Sequence, residues 1–282
     1  MSIPPQAVPI FSNPALIKYS QDAMKTTFRI YVDGGERNRV DSAVSDAFQK
    51  LEELEGILSR YVPGSDISRI NRMNAGDTLF LSDECDRCLR LAIDASEATG
   101  GCFDPCIGTL VDVLKSGSPK SDGLSGIVSL DIDRPLITCV EAGRVFDLGA
   151  IGKGYALERM GEILEGHGVG SALLTSGAST MLAIGAREWP VDLPHSSGTR
   201  RIMLRSAALA ASGNAVQGVH IVDPADGSPA QQFTNVWVVH PRAPYADAFS
   251  TACFVMSPEE IRQFAVTLQP GAQVIGDPDW EL

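Results

Sequence analysis

Apolar residues at Val40, Ala43, Val44, Ala47, Leu51, Leu54 and Leu58 recur every three or four positions, which predicts one long amphipathic helix over 39–58. Residues 83–98 keep the same spacing, with Ser82 or Asp83 as the N-terminal cap and an end at Thr99. After the turn Pro63-Gly64, Ser65 or Asp66 caps a short helix ending near Asn71. Three more helices are predicted: one from the glycine-rich stretch 149–154 to His167-Gly168, one over 244–256, and one over 257–268. The last has Ser257 as cap and Pro258 at its first position.

A different rhythm marks the strands. Thr26 to Val32 alternates and is rich in β-branched and aromatic residues. Short β-rich runs predict further strands at 77–81, 127–131, 136–140, 144–148, 171–175, 180–185, 201–206, 208–211, 219–222, 235–240 and 273–275. Gly100 to Leu110 reads as turns and 115–126 as a polar loop. Residues 1–22 are proline-rich and read as an irregular arm, with 23–282 as a single domain. Helices and strands mix without strict β-α-β alternation, and no repeat of about 20–50 residues recurs, so the predicted fold class is α+β.

With 44% hydrophobic and 21% charged residues, the chain has the balance of an ordinary globular protein. Its net charge of −12 argues against a nucleic-acid surface, and it means that an anionic ligand must be held by a local site. Met1-Ser2-Ile3-Pro4-Pro5 has no basic start, and no stretch is long enough to span a membrane. The expectation is a soluble, cytoplasmic protein as written, or a periplasmic one if an export signal has been trimmed. There are six cysteines, with Cys85 and Cys88 in C-x-x-C spacing and Cys102 and Cys106 one residue wider, the spacing of a four-thiolate zinc site. The first pair lies in a helical pattern, however, and ordinary reduced thiols are the favoured reading.

The candidate chemistry centres on 146–158. A short apolar run breaks at Gly149, Gly152 and Gly154 and becomes a helix. Small residues let a backbone approach another group closely. A helix start favours anions, and Lys153 beside it adds a mobile charge suited to a phosphate or pyrophosphate. An ordinary strand-to-helix turn with a solvated lysine has the same local pattern. Asp247 and Thr251 lie four apart on a predicted helix and so share a face. Read locally, they are also a helix-start acid and a threonine bonded to its own backbone.

Several motifs stand in a fixed order: Phe103-Asp104-Pro105 with Gly108, Asp147-Leu148-Gly149-x-Ile151-x-Lys153-Gly154, His220-Ile221-x-Asp223-Pro224, and Asp247-x-x-x-Thr251. With Met24–Phe28 and Ser59–Asn71 they span roughly 24–275, and together they resemble the ApbE family, the FAD:protein FMN transferases. The resemblance implies an α+β fold of mixed, largely antiparallel sheets with packed helices. It implies FAD bound in a cleft as substrate, with Mg2+ at its pyrophosphate. The implied reaction moves FMN to a threonine or serine of an acceptor flavoprotein subunit and releases AMP.

By the same resemblance Asp247, Thr251 and the backbone carbonyl of Ala150 hold the magnesium. Lys153 and His220 are catalytic, with His220 as base or hydrogen-bond donor beside the acceptor hydroxyl. Tyr61 stacks on an aromatic ring of FAD, and Phe103, Asp104, Lys153, Gly154, Gly177, Ser212 and Gly213 bind the same molecule. A cleft carboxylate contributes little packing, so Asp247 is expected to be dispensable for folding. Four departures stand out. The family's Gly-Gly-Asp is Ser176-Gly177-Ala178, its Thr-Ser-Gly is Ala211-Ser212-Gly213, its hairpin before His220 is cut to 214–219, and its glycine after Met24 is Lys25. They leave two further readings open: an FAD pyrophosphatase giving FMN and AMP, and a non-catalytic FAD-binding or scaffold homologue.

Overall fold

The structure is a computed structural model that describes residues 8–9, 16–116, 125–213 and 221–277. In chain order its strands are β1 (Val8–Pro9), β2 (Leu16–Ala23), β3 (Thr26–Asp33), β4 (Thr78–Phe80), β5 (Ile127–Leu130), β6 (Leu136–Glu141), β7 (Ser171–Ser176), β8 (Thr180–Gly185), β9 (Trp189–His195), β10 (Gly198–Leu204), β11 (Ala207–Gly213), β12 (Asn235–His240) and β13 (Gln273–Asp277). The helices are α1 (Arg37–Leu58), α2 (Asp66–Ile70), α3 (Asp83–Ala98), α4 (Gly108–Ser116), α5 (Gly152–Gly166), α6 (Ala243–Val255) and α7 (Pro258–Thr267).

A seven-stranded sheet in the order β13-β12-β11-β8-β7-β3-β2 forms the centre, and every neighbouring pair in it is antiparallel. Alternation along its strands explains why it is buried on both faces. Phe28, Ile30, Ala172, Leu174, Leu182, Ile184, Ala208, Ala210, Val236 and Val238 face the helices and join the main core. The intervening Tyr31, Leu173, Met181, Ala183, Leu209 and Trp237 face the other way, onto Trp189, Val191, Leu193 and Leu204 of the small β1-β9-β10 sheet. A third, antiparallel sheet has the order β4-β6-β5.

The helices cover one face of the central sheet. α1 buries the seven residues that set its spacing, Val40 to Leu58. α6 is buried almost all round, including its polar residues Asp247 and Ser250. α5 packs between α1 and α6. A half-buried polar knot fixes its position: Glu84 of α3 accepts from the Tyr155 hydroxyl and from Arg159 Nη2 at 3.1 Å, and Lys50 of α1 lies 3.4 Å from the same carboxylate. Burial alone would raise the Glu84 carboxyl, but the Tyr155 and Arg159 bonds outweigh it and hold the group below the usual range. The helix caps are Ser65, Ser82 and Ser257, each accepting from a backbone N–H in its first turn, and Ser257 with Glu260 completes a capping box.

The structure corrects the sequence reading at several places. The irregular arm expected over 1–22 contains β2, an edge strand paired along its whole length with β3. Gly108–Ser116 is a helix, where turns and a polar loop were expected. β9 was not expected at all. Residues 144–148 form no named strand, because their backbone is satisfied elsewhere. Asn71 exchanges two hydrogen bonds with Phe146 at 2.7 and 2.9 Å, Asp147 N donates to Pro105 O at 2.8 Å, and Gly108 N donates to Val145 O at 2.9 Å. Of the strand expected at 219–222, Val222 makes only an isolated bridge to Pro229, and 219–220 lie outside the described residues. All six cysteines are free, and among the described residues no group of three or more His, Cys, Asp or Glu side chains is placed to hold a metal ion, so the four-thiolate spacing does not assemble a zinc centre. Burial pushes the Cys106 thiol up to about 12. No helix of the described residues is long and apolar enough to cross a membrane.

Leu51 is 0% exposed in the main core and Val266 is 87% exposed on α7. Leu51→Ala should therefore cost about 2–5 kcal/mol by urea denaturation, and Val266→Ala should stay within about 0.5 kcal/mol of the wild type.

Candidate active site

The start of α5 has no side-chain cap of its own, because Ile151 at the N-cap position has no polar group. Its Gly154 N–H instead donates to Asp247 Oδ2 of α6 at 3.0 Å. α6 has the same deficiency, with no side-chain cap from Arg242. Its Ala243 N–H donates to Glu158 Oε2 of α5 at 3.2 Å, and Arg242 grips the same carboxylate at 2.7 Å. Each helix thus receives a carboxylate cap from the other, a placement that suits both helix dipoles. This reciprocity demands close approach. A Cβ on Gly154 would stand 2.2 Å from the Ala243 carbonyl oxygen and 2.9 Å from Asp247 Cβ, so the small residue here serves helix-on-helix contact.

Asp247 is 4% exposed. The expectation of a cleft carboxylate that adds little to folding is corrected, since both its oxygens are engaged: Oδ2 by Gly154, Oδ1 by the Thr180 hydroxyl at 3.0 Å. Lys153 Nζ donates to the Gly149 carbonyl at 2.6 Å and lies 3.8 Å from Asp247 Oδ2. Thr251 lies one turn along α6, and its hydroxyl donates to the Asp247 carbonyl at 3.4 Å. Ser250 donates to that same carbonyl at 2.9 Å, and Ser212 Oγ at the end of β11 is 3.0 Å from Ser250 Oγ and 3.3 Å from Thr251 Oγ1. Lys153, Gly154, Ser212, Asp247 and Thr251 therefore meet at one place, and Ala150 sits partly buried in the turn leading to it.

A chain of contacts runs outward from this cluster. Asp147 Oδ1 accepts from Gly149 N at 2.9 Å, and Asp147 Oδ2 lies 3.0 Å from Arg60 Nε, an ion pair without hydrogen-bond alignment. Arg60 also pairs with Asp112 and donates to the Tyr61 hydroxyl at 3.2 Å. Tyr61 is 50% exposed. Burial would raise its pKa, but the hydrogen bonds from Lys115 and Arg60 prevail and lower it. Asp104 accepts from Cys106 N at 2.7 Å and faces Arg144 at 3.6 Å. Phe103 is 2% exposed within the main core. Gly177 adopts φ +58 in the β7–β8 turn, where a Cβ would meet Thr26 Oγ1 at 2.5 Å. A Cβ on Gly213 would meet Asn235 Oδ1 at the same 2.5 Å. His220 lies outside the described residues.

The oxygens in the cluster suit a hard cation. An ionised carboxylate has about four acceptor positions, and only two are used on Asp247. Thr251 spends its single proton on a carbonyl, which leaves its lone pairs to accept or ligate. Carboxylate and hydroxyl oxygens are hard donors, of the kind that suits magnesium or calcium rather than zinc.

Residues 24–275 match the ApbE family. The chain belongs to that family. Among its relatives are proteins named FAD:protein FMN transferase from Treponema pallidum (strain Nichols), 26% identical over 78% of this chain and 73% of the relative, and from Chlamydia muridarum (strain MoPn / Nigg), 27% identical over 72% of each. The fold is similar to the crystal structure of the ApbE protein of Thermotoga maritima, with a TM-score of 0.81 and 24% identity over 93% of this chain and 94% of that one. It is also similar to the Pseudomonas stutzeri flavinyl transferase ApbE in its apo form, with a TM-score of 0.78 and 21% identity over 93% and 94%.

Two members of this ApbE-family site escaped the sequence reading. Thr180 has a local signal: alternation puts it on the face of Leu182 and Ile184, and a polar residue at a core-facing position needs a partner. Glu158 has none, because its partner lies 85 positions on, at Ala243.

Gly154→Ala should cost about 1–3 kcal/mol in thermal or urea unfolding, because the neighbour it strikes is rigid backbone. Gly152→Ala is the control. Its nearest foreign atom is 4.0 Å away, and alanine should stabilise α5 by up to about 1 kcal/mol.

Proposed function

We propose that the protein transfers FMN from FAD to a threonine or serine of an acceptor protein, with magnesium at the pyrophosphate and AMP as the second product. Membership of the ApbE family makes the chain a transferase. One observation carries the finer reading: a buried carboxylate, Asp247, stands at the start of α5 beside Lys153. The helix start is therefore already occupied by an anion of the chain itself. A pyrophosphate and this carboxylate repel each other unless positive charge lies between them. Lys153 supplies part of that charge, and a hard cation on Asp247, Thr251 and the Ala150 carbonyl would supply the rest.

In this reading the acceptor hydroxyl oxygen bonds to the phosphorus of the FMN half. The bond from that phosphorus to the bridging oxygen breaks, and AMP leaves with the bridging oxygen. His220 takes the hydroxyl proton. A hard cation held by Asp247, Thr251 and the Ala150 carbonyl would supply the charge neutralisation that cleavage of a pyrophosphate requires. Gly154 N–H and the Thr180 hydroxyl hold the Asp247 oxygens in place, so that site needs little reorganisation. Lys153 is steadied by the Gly149 carbonyl and reaches the phosphates from the same turn. Tyr61 offers a ring for stacking, and Asp104, Gly177, Ser212 and Gly213 would supply the remaining contacts to FAD, while Phe103 lies in the main core.

FAD should bind more tightly than FMN in titration calorimetry, because pyrophosphate and adenosine add contacts; equal affinities would count against the reading. Incubation with FAD, magnesium and a candidate acceptor domain, followed by mass analysis and AMP assay, decides the reaction. The expected result is one FMN on an acceptor threonine or serine for each AMP. Free FMN and AMP with an unmodified acceptor would indicate a pyrophosphatase, and tight FAD binding without AMP would indicate a non-catalytic flavin-binding protein.

A further inference from the structure

The turn between β2 and β3 has two residues, Met24 and Lys25, because Ala23 pairs directly with Thr26. Both are left-handed, at φ +48 and +59, and neither is glycine. Side chains are strained there, and the family resemblance places a glycine at position 25. The surroundings hold the turn against that strain: Met24 N donates to Glu55 Oε1 of α1 at 2.8 Å, and Thr27 Oγ1 donates to Asp22 at 2.7 Å. The effect is to deliver Lys25 Nζ to 3.8 Å from the centre of the Tyr61 ring.

Lys25 is not alone there. The Arg60 guanidinium is 4.9 Å and Lys115 Nζ 5.6 Å from the same ring centre, on two other segments of the chain. Arg60 is balanced by Asp112 and Asp147. Lys25 and Lys115 have no carboxylate partner among the described residues, and Lys115 instead donates to the Tyr61 hydroxyl at 3.1 Å. Among the described residues, two ammonium groups without a carboxylate partner thus lie near one half-exposed aromatic ring, in a chain whose net charge is −12. Like charges gathered this way repel, and an anion that brings a planar ring satisfies both features together.

We propose that Lys25 is a positioning residue for the substrate: its ammonium holds the face of Tyr61 until a planar, negatively charged ligand stacks there, and then pairs with that ligand's anionic oxygens. Lys115, which donates to the Tyr61 hydroxyl, contributes a second positive charge. The strained turn is kept because it aims this charge. The inference rests on FAD as the substrate proposed above.

The test compares FAD affinity at low and high salt, by quenching of flavin fluorescence, for the wild type and for Lys25→Met, Lys25→Arg and Lys25→Gly. Lys25→Met keeps the stem and the turn and loses the charge. It should weaken FAD binding about three- to fivefold at low salt and flatten the salt dependence, the size expected for a solvent-facing charge pair. Lys25→Arg should stay within about twofold of the wild type. Lys25→Gly relieves the turn, so it should melt higher than the wild type yet bind FAD as weakly as Lys25→Met, a split that a merely structural role would not give. Lys25→Met with wild-type affinity and salt dependence, or with tighter binding, overturns the role of Lys25 while leaving the FAD reading standing. A wild-type protein that does not bind FAD overturns both.

Discussion

Two helices that cannot cap themselves cap each other. α5 begins at an isoleucine and α6 at an arginine, so neither has a short polar side chain at its own N-cap. Asp247 on α6 answers Gly154, and Glu158 on α5 answers Ala243. Because both bonds must close together, the helices are pinned in register as well as in distance, and only glycine fits at position 154. The constraint reaches the chemistry directly. The carboxylate that caps α5 is the one beside Lys153 and one turn from Thr251, so the site is a by-product of how the two helices are joined.

The central sheet supplies the platform for that joint. With both faces buried, it is fixed by α-helical packing on one side and by the β9–β10 hairpin on the other. The β2–β3 and β7–β8 turns and the end of β11 lie at one end of it. Thr180 at the start of β8, Ser212 near the end of β11 and Lys25 in the β2–β3 turn are positions at that end. From there the contacts pass through Gly149, Asp147 and Arg60 to Tyr61, which links the buried anion site to an exposed aromatic face.

Most of the fold was legible where burial has a simple period. α1 could be read residue by residue, because one face is solvent and the other is core. The serine caps at 65, 82 and 257 were legible because capping is local. β9 was not, since Trp189-Pro190-Val191-Asp192-Leu193-Pro194-His195 carries two prolines, which usually exclude a strand interior. They are tolerated because β1 pairs only with Val191 and Asp192, between them. β2 was hidden by polar residues that suit an edge strand beside α1. The apolar run at 144–148 misled in the opposite sense, because Asn71 takes the place of a neighbouring strand. At the site, the sharing of a helix face by Asp247 and Thr251 was legible from their spacing. The burial of Asp247 was not, because it depends on Gly154 and Thr180, 93 and 67 positions away in the chain.

The central claim is that one carboxylate both joins the helices and carries the charge that the reaction needs. Asp247→Asn tests it most directly, since the amide keeps the size and one acceptor oxygen but loses the charge. The account predicts a loss of about 1–3 kcal/mol in unfolding free energy, because a buried donor loses its ionised partner. It also predicts that magnesium-dependent release of AMP from FAD falls by at least about 100-fold, the upper end of what loss of a merely supporting group costs a metal site. Wild-type AMP release by Asp247→Asn, with or without the loss of stability, would contradict it.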